Sequence, residues 1–169
     1  MSSNSINLKS IISDVLIDEV SDIVDKHKYL SFGVISQGIE FLGACIDTEK
    51  ETEIHDRGQS RCRFNLAIEE LFPDKYQDKD LYVFLRCSMV HVLIPKKEIE
   101  LIQRTEVGKF GQHLTMAMIR DEERLILVAE DFFEDFRNAC NKVIEWIEED
   151  QSKINPKIIG MQLSNKANN

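Results

Sequence analysis

Arg86 and His91 are the two residues whose types and spacing best suit a chemical role. They stand five positions apart in the stretch LRCSMVH, which forms an R-x4-H motif. A guanidinium keeps its positive charge and can hold a phosphate, whereas an imidazole titrates near neutral pH and can move a proton. Cleavage of a phosphodiester needs both kinds of group. The pair therefore indicates phosphodiester chemistry, with a capping histidine and a surface arginine as the structural alternative.

The motif falls on a predicted fourth helix. This helix starts with Asp78 or Asp80 as its N-cap and stops near Ile94, because Pro95 disfavours helical geometry in the residue before it. A separation of five residues puts two Cα atoms about 140° apart around an ideal helix. The two side chains meet only if the long arginine, a locally opened turn or a second copy of the chain brings them together.

Three neighbours of the motif are candidate substrate-binding residues: Ser88, Lys96 and Lys97. The lysines follow Pro95 directly and can bind phosphate, although paired lysines are also common on solvated surfaces. Ser88 lies three residues before His91, but no Gly-x-Ser-x-Gly turn surrounds it, which disfavours a serine hydrolase.

No metal site or cofactor is predicted. The histidines lack the paired spacings of zinc ligands, and the four cysteines form no C-x-x-C pair: Cys45, Cys62, Cys87 and Cys140. We interpret the cysteines as reduced thiols of a cytoplasmic protein.

The elements that must position the motif are mostly helical. Apolar residues recur at three- and four-residue steps from Leu8 to Val24, with Asn7 as N-cap. The segment from Leu30 to Ile46 is apolar and rich in small residues, which predicts a buried helix whose backbone approaches its neighbours closely. Residues 47 to 58 predict an exposed, mobile loop, and Ser60 is expected to cap a short helix that ends before Pro73.

The segments after the motif predict a hairpin and a final helix. His113 to Ile119 and Arg124 to Ala129 flank the polar turn RDEE, which favours a β-hairpin. Asp131 is then expected to cap a long amphipathic helix.

Length and composition bound the fold and the function. The chain has 169 residues, 43% hydrophobic, and a net charge of −9. We expect one mainly α domain over residues 1 to 150, a bundle of four to five helices with a small β-hairpin before the last helix, and a polar, mobile tail over residues 151 to 169. The negative charge argues against nonspecific nucleic-acid binding, although residues 57 to 104 carry 9 basic and 7 acidic side chains and allow a local anion site. No apolar run predicts a membrane span.

The stretch DLYVFLRCSMVHVLIPKKE, together with the upstream GIEFLGACI, resembles the HEPN superfamily of helical-bundle domains. In that superfamily an R-x4-6-H motif marks metal-independent ribonucleases. The resemblance implies a HEPN-like bundle in which Arg86 binds phosphate and His91 acts as the general acid or base. The polar residue that commonly follows the arginine is Cys87 here, so either Ser88 substitutes for it or the site is degraded.

The resemblance implies an endoribonuclease of a bacterial defence or toxin–antitoxin system. RNA and an antitoxin are the implied partners, and the attacking group would be the ribose 2′-hydroxyl. We also expect a two-fold homodimer that places the fourth helix of each copy near the axis, because an isologous contact duplicates the Arg86–His91 site and closes a groove. The alternative is a non-catalytic helical dimerisation or interaction domain, favoured by the acidic surface and by Cys87.

Overall fold

The computed structural model describes residues 5–50, 52–160 and 163–164. Helices dominate, and a small three-stranded sheet precedes the longest helix, Ala129–Glu149. The expected mainly α bundle with a small β element is thereby confirmed.

Helix α1 has three consecutive segments. Its α-helical ends, Leu8–Ser10 and Val20–Lys26, flank the π-helical segment Ile11–Glu19. The Asn7 side chain accepts a hydrogen bond from the backbone N–H of Ser10 at 2.9 Å, which confirms the predicted N-cap.

Helix α2, Lys28–Ile46, is the centre of the bundle. A Cβ atom on Gly43 would lie 1.8 Å from the Arg63 carbonyl oxygen, and one on Gly38 would lie 2.5 Å from the Phe136 ring. Only glycine permits these contacts, so the prediction that small residues bring the backbones close is confirmed.

Helix α2 is also long and apolar enough, by length and composition alone, to cross a membrane. In this fold 67% of that stretch is buried by the rest of the chain. It is thus placed as the core helix of a soluble bundle would be.

Helix α3, Ser60–Leu71, packs on α2 and ends before Pro73, as predicted. Ser60 is its first helical residue, and Gln59 occupies the N-cap position without a side-chain hydrogen bond. The prediction of a Ser60 cap was wrong.

Helix α4 carries the R-x4-H motif over Tyr82–Val92, with a π-helical first part, Tyr82–Cys87, and an α-helical second part, Ser88–Val92. The N–H groups of Val83 and Phe84 donate to the Asp80 carbonyl at 3.0 and 3.1 Å. The Asp80 carboxylate lies 3.5 Å from Arg61. Asp80 therefore starts the helix through its carbonyl group, and neither Asp78 nor Asp80 provides the predicted side-chain cap.

Strand β1, Ser5–Ile6, pairs with a strand near the other end of the chain and forms a separate two-stranded sheet. Three further strands follow α4 and form the main sheet. These strands are β2 (Ile99–Ile102), β3 (Met116–Ile119) and β4 (Glu122–Val128). The short helix α5 (Val107–Phe110) lies between β2 and β3 in the chain. The sheet order is β2-β4-β3, with β2 parallel and β3 antiparallel to β4. The β3–β4 hairpin confirms the prediction, whereas β2 was not predicted.

Strand β4 is buried on both faces. Leu125 and Leu127 contribute to the main helical core, and Ile126 and Val128 to a second, smaller cluster. Helix α6, Ala129–Glu149, follows without a loop and packs on α2 through its aromatic residues. Its N-cap position is Val128, so Asp131 is not the predicted cap.

The chain after Asp150 forms the short helix α7, Pro156–Ile159, and strand β5, Leu163–Ser164, which is the partner of β1. Ile154 and Ile158 are 2% and 1% exposed. The Asn155 side chain donates to the carbonyl groups of Ala44 and Thr52. The expectation of a tail without anchors in the core was wrong for residues 151–160, while residues 161–162 and 165–169 lie outside the described part of the chain.

Candidate functional site

The motif helix ends abruptly just after His91. Leu93 adopts the left-handed conformation, with φ 57° and ψ 20°, and its N–H donates to the Met89 carbonyl at 3.2 Å. The helix therefore stops two residues before the position that Pro95 alone predicts. His91 lies in the last turn, as expected.

Helix α4 packs on α2 at two places. Midway along α4 Arg86 contacts Glu40, and just beyond its end the Leu93 carbonyl accepts a hydrogen bond from the Tyr29 hydroxyl at 2.7 Å. Because Tyr29 precedes Glu40 on α2 while Arg86 precedes Leu93, the two helices run antiparallel. Three features thus follow one another along α4: Arg86, His91 and the apolar end at Leu93.

Arg86 is held by an ion pair. Its Nη2 atom lies 2.5 Å from Glu40 Oε2, and only 13% and 18% of the two side chains are exposed. The Arg86 guanidinium also lies 5.6 Å from the centre of the Tyr82 ring. Arg86 is therefore largely buried and is not the surface arginine of the structural alternative.

The Arg86–Glu40 contact is a charge pair. Glu40 Oε2 and Arg86 Nε are both buried, and within the described chain neither atom has a hydrogen-bond partner. Unpartnered buried polar atoms are rare in native proteins.

Arg63, which the sequence analysis did not single out, lies beside this pair. It is 4% exposed, and its guanidinium donates to Thr52 Oγ1 at 3.0 Å and to the carbonyl groups of Glu53 and Ile54. These bonds fix the loop between α2 and α3, part of which was expected to be mobile. The sequence did contain a signal that Arg63 is buried, because this residue falls on the apolar stripe of α3 with the following residues: Phe64, Ala67, Ile68 and Leu71.

The two arginines line one small cavity of about 160 Å³ that is open to solvent. Its polar lining consists of Gln37, Glu40, Arg63 and Arg86, which gives a formal charge of +1. The Nε atoms of both arginines and Oε2 of Glu40 have no hydrogen-bond partner within the described chain. The cavity thus has a net positive charge, which favours a small anion over a cation.

His91 occupies a separate position on the same helix. Its side chain is exposed, and no hydrogen bond or ion pair joins its ring to another described residue. Five residues of α-helix advance about 7.5 Å along the axis, so His91 lies roughly one and a half turns beyond Arg86. The structure brings the two motif residues onto one helix without placing them in contact.

The three predicted substrate-binding residues are in different environments. Ser88 Oγ donates weakly to the Val83 carbonyl at 3.4 Å, within its own helix. Lys96 and Lys97 are both exposed beyond the helix end, and Lys97 Nζ lies 3.8 Å from Glu122. The lysines are therefore solvated charges beyond the helix end, whereas the Ser88 hydroxyl faces its own backbone.

A second polar cluster lies where the sheet meets α6. His113 Nδ1 accepts a hydrogen bond from the Val128 N–H at 3.1 Å, and its Nε2 lies 2.8 Å from the Tyr76 hydroxyl, which donates to Asp135 at 2.8 Å. Since Nδ1 accepts, the proton of a neutral ring is on Nε2 and points to Tyr76. Burial and the charge of Lys75 lower the pKa of His113 to about 4.

No protein-family model, curated protein or solved structure matches the chain. The resemblance to the HEPN superfamily therefore stays a prediction that depends on the motif residues themselves.

Proposed function

We propose that the chain is a metal-independent endoribonuclease that holds RNA phosphate at the cavity of Arg86 and uses His91 as its general acid–base. The observation that carries this proposal is the positively charged cavity, which is lined by two guanidinium groups and one carboxylate. A phosphodiester oxygen is an acceptor of the right charge for such donors.

The reaction follows from the groups available. The ribose 2′-oxygen attacks the adjacent phosphorus, the bond from phosphorus to the 5′-oxygen breaks, and a 2′,3′-cyclic phosphate forms. The scissile phosphate then lies between the mouth of the Arg86 cavity and His91, where the imidazolium transfers its proton to the leaving 5′-oxygen and the 2′ proton passes to solvent water. Arg86 stabilises the negative charge that develops on the phosphoryl oxygens.

The exposed lysines support the same proposal. Lys96 and Lys97 follow the helix end and can attract the strand locally through its phosphates, although the net charge of the whole chain is −9. We place the protein in the cytoplasm, where its four free cysteines stay reduced and RNA is accessible. A defence or toxin role with an antitoxin partner fits this activity.

The test is cleavage of single-stranded RNA in EDTA by wild type and two histidine variants. His91→Ala should abolish cleavage, whereas His55→Ala should not, since His55 is an exposed histidine in the loop before α3. Equal cleavage by wild type and His91→Ala would trace the activity to a contaminant and overturn the proposal.

One observation favours a second function, a non-catalytic interaction domain. Glu40 already neutralises Arg86, so the motif arginine can serve as a tie between α2 and α4. The double variant Glu40→Gln/Arg86→Gln removes both charges without leaving either one unpaired. If the double variant folds but no longer cleaves RNA, the result supports the nuclease. If wild type itself leaves RNA intact, the result supports the interaction domain.

A further inference from the structure

Strand β3 forms an unprotected edge of the main sheet. In the order β2-β4-β3, no other described strand pairs with the outer side of β3. Met116 and Met118 on this strand are 50% and 69% exposed. Native proteins usually protect an edge strand with charged residues or proline, but residues 114 to 119 contain neither. The outer side of β3 is therefore open to pairing with another strand.

The register of β3 on β4 determines which backbone groups face outward. The Ile126 N–H donates to the Thr115 carbonyl at 2.9 Å. Because hydrogen-bonded residues alternate along an antiparallel ladder, Ala117 also turns its N–H and C=O groups toward β4. The N–H and C=O groups of Met116 and Met118 therefore point outward. Within the described residues no backbone hydrogen bond joins these groups to another part of the chain.

The outward groups are complementary to those of a second copy of β3. With Ala117 on a two-fold axis and the strands antiparallel, Met116 of each copy lies opposite the partner's Met118. Each opposed pair exchanges two hydrogen bonds, so every outward group finds a partner. An axis on either methionine would place the other one opposite Leu114 or Arg120, whose backbones are left-handed, with φ 61° and 51°. The register with Ala117 on the axis is therefore favoured.

The side chains fit the same register. Ala117 lies beside its own copy in a non-bonded pair, where the two Cα atoms approach to about 4.5 Å. Gly111 also lies close to this face of the strand, since a Cβ atom on Gly111 would be 3.7 Å from the Ala117 Cβ atom. A partner strand needs a small residue there, and a second copy supplies one. Met116 and Met118 lie on the opposite face and cover each other across the interface.

The charges near β3 favour a copy of the chain over a nucleic acid. Residues 114 to 119 carry no charge, so they offer nothing that binds phosphate. The nearest charged residue in the chain on that side is Arg120. In the antiparallel pair the two Arg120 residues lie at opposite ends, about 20 Å apart along the strands. Self-association at this edge therefore brings no like charges together on the strands.

We propose that β3 is the interface of a two-fold dimer, in which the main sheets of two copies join edge to edge with Ala117 on the axis. This contact differs from the dimer expected through the fourth helix, because the backbone of β3 forms it. The proposal does not depend on nuclease activity, since it rests on the register of the sheet and on the exposed side chains of β3.

Light scattering of the full chain at micromolar to millimolar concentration tests the interface. Wild type should associate. Met118→Lys should raise the dissociation constant about tenfold or more, because a charge on an edge strand opposes pairing, and the exposed position should keep the fold intact. Val15→Lys is the matched control at an exposed position of α1, and it should associate as wild type does. A wild type that is monomeric throughout, or an association that Met118→Lys does not weaken, would overturn the proposal.

Cysteine cross-linking tests the register. Ala117→Cys and Met118→Cys are each combined with Cys62→Ser, because Cys62 is exposed. Oxidised glutathione accepts the two thiol hydrogens and is reduced as the disulfide forms. Ala117→Cys should form a covalent dimer, since about 4.5 Å between Cα atoms suits a disulfide. Met118→Cys should react at least about tenfold more slowly, because its two copies lie diagonally, about 7 to 8 Å apart. Equal or faster cross-linking of Met118→Cys would overturn the assigned axis.

Discussion

At the scale of single residues, His113 couples stability to pH. Its neutral ring accepts the Val128 N–H, and a doubly protonated ring cannot accept it. Because the folded pKa, about 4, lies below the ordinary value of about 6.5, the contribution is fully present above pH 6.5 and is lost as the pH falls toward 4. The loss amounts to about 3 kcal/mol of unfolding free energy.

Urea unfolding at pH 7.5 and pH 4.5 measures this contribution. The drop in stability should be smaller in His113→Gln, which has no group to protonate, than in wild type. His55→Gln, at an exposed position, should show the wild-type drop. Equal pH dependence in all three proteins would exclude the role of His113.

The second prediction at the residue scale concerns the Arg86–Glu40 pair. Arg86→Ala leaves a carboxylate that is 18% exposed without its counter-charge, so we expect a loss of about 1 to 3 kcal/mol in unfolding free energy. Glu40→Gln/Arg86→Gln should recover most of that loss. If Arg86→Ala were as stable as wild type, the ion pair would contribute little to the free energy of unfolding and Glu40 would be solvated.

At the scale of elements, Gly43 sets the distance between α2 and α3. Gly43→Ala places a Cβ atom 1.8 Å from the Arg63 carbonyl, which is backbone and cannot move aside alone. We expect a loss of about 3 kcal/mol or more, even though alanine favours helix. Gly108→Ala is the control, because a Cβ there meets nothing within 4 Å. Equal melting temperatures for the two variants would contradict the close approach.

The elements with strong local signals were predictable from the sequence. The apolar periodicity marked α1 and α2, and the polar turn between two apolar runs marked the β3–β4 hairpin. Strand β2 has only four residues and pairs with β4 more than twenty positions away, so no local pattern reveals it. The pattern of apolar and polar side chains does not reveal the π-helical segments either.

The sequence predicted which motif residues could do chemistry, but it did not predict which other residues lie beside them. The motif named Arg86 and His91, but Glu40 and Arg63 reach the cavity through the packing of three helices, which spacing within one helix does not encode. His113 was interpreted as part of a hairpin because its partners, Tyr76 and Asp135, are distant in sequence. Tertiary packing determined both arrangements.

At the scale of the whole molecule, the segment after Asp150 closes the bundle. Truncation after Asp150 removes two buried isoleucines and the Asn155 bonds to Ala44 and Thr52, so we expect the melting temperature to fall by several degrees. Truncation after Gly160 keeps those contacts and should cost less. The sequence alone predicts a mobile tail, and equal melting temperatures for the full-length and Asp150-truncated proteins would support that prediction.

The central claim is that this fold cleaves RNA through the ribose 2′-hydroxyl. The most direct measurement compares an RNA oligonucleotide with the same oligonucleotide carrying a single 2′-deoxyribose at the mapped cleavage position, both in EDTA, with products identified by mass spectrometry. We predict a 2′,3′-cyclic phosphate product from the RNA and no cleavage at the substituted position, because the attacking oxygen is missing there. Cleavage of the substituted strand at that position, or a wild-type protein that leaves the RNA intact, would contradict the account.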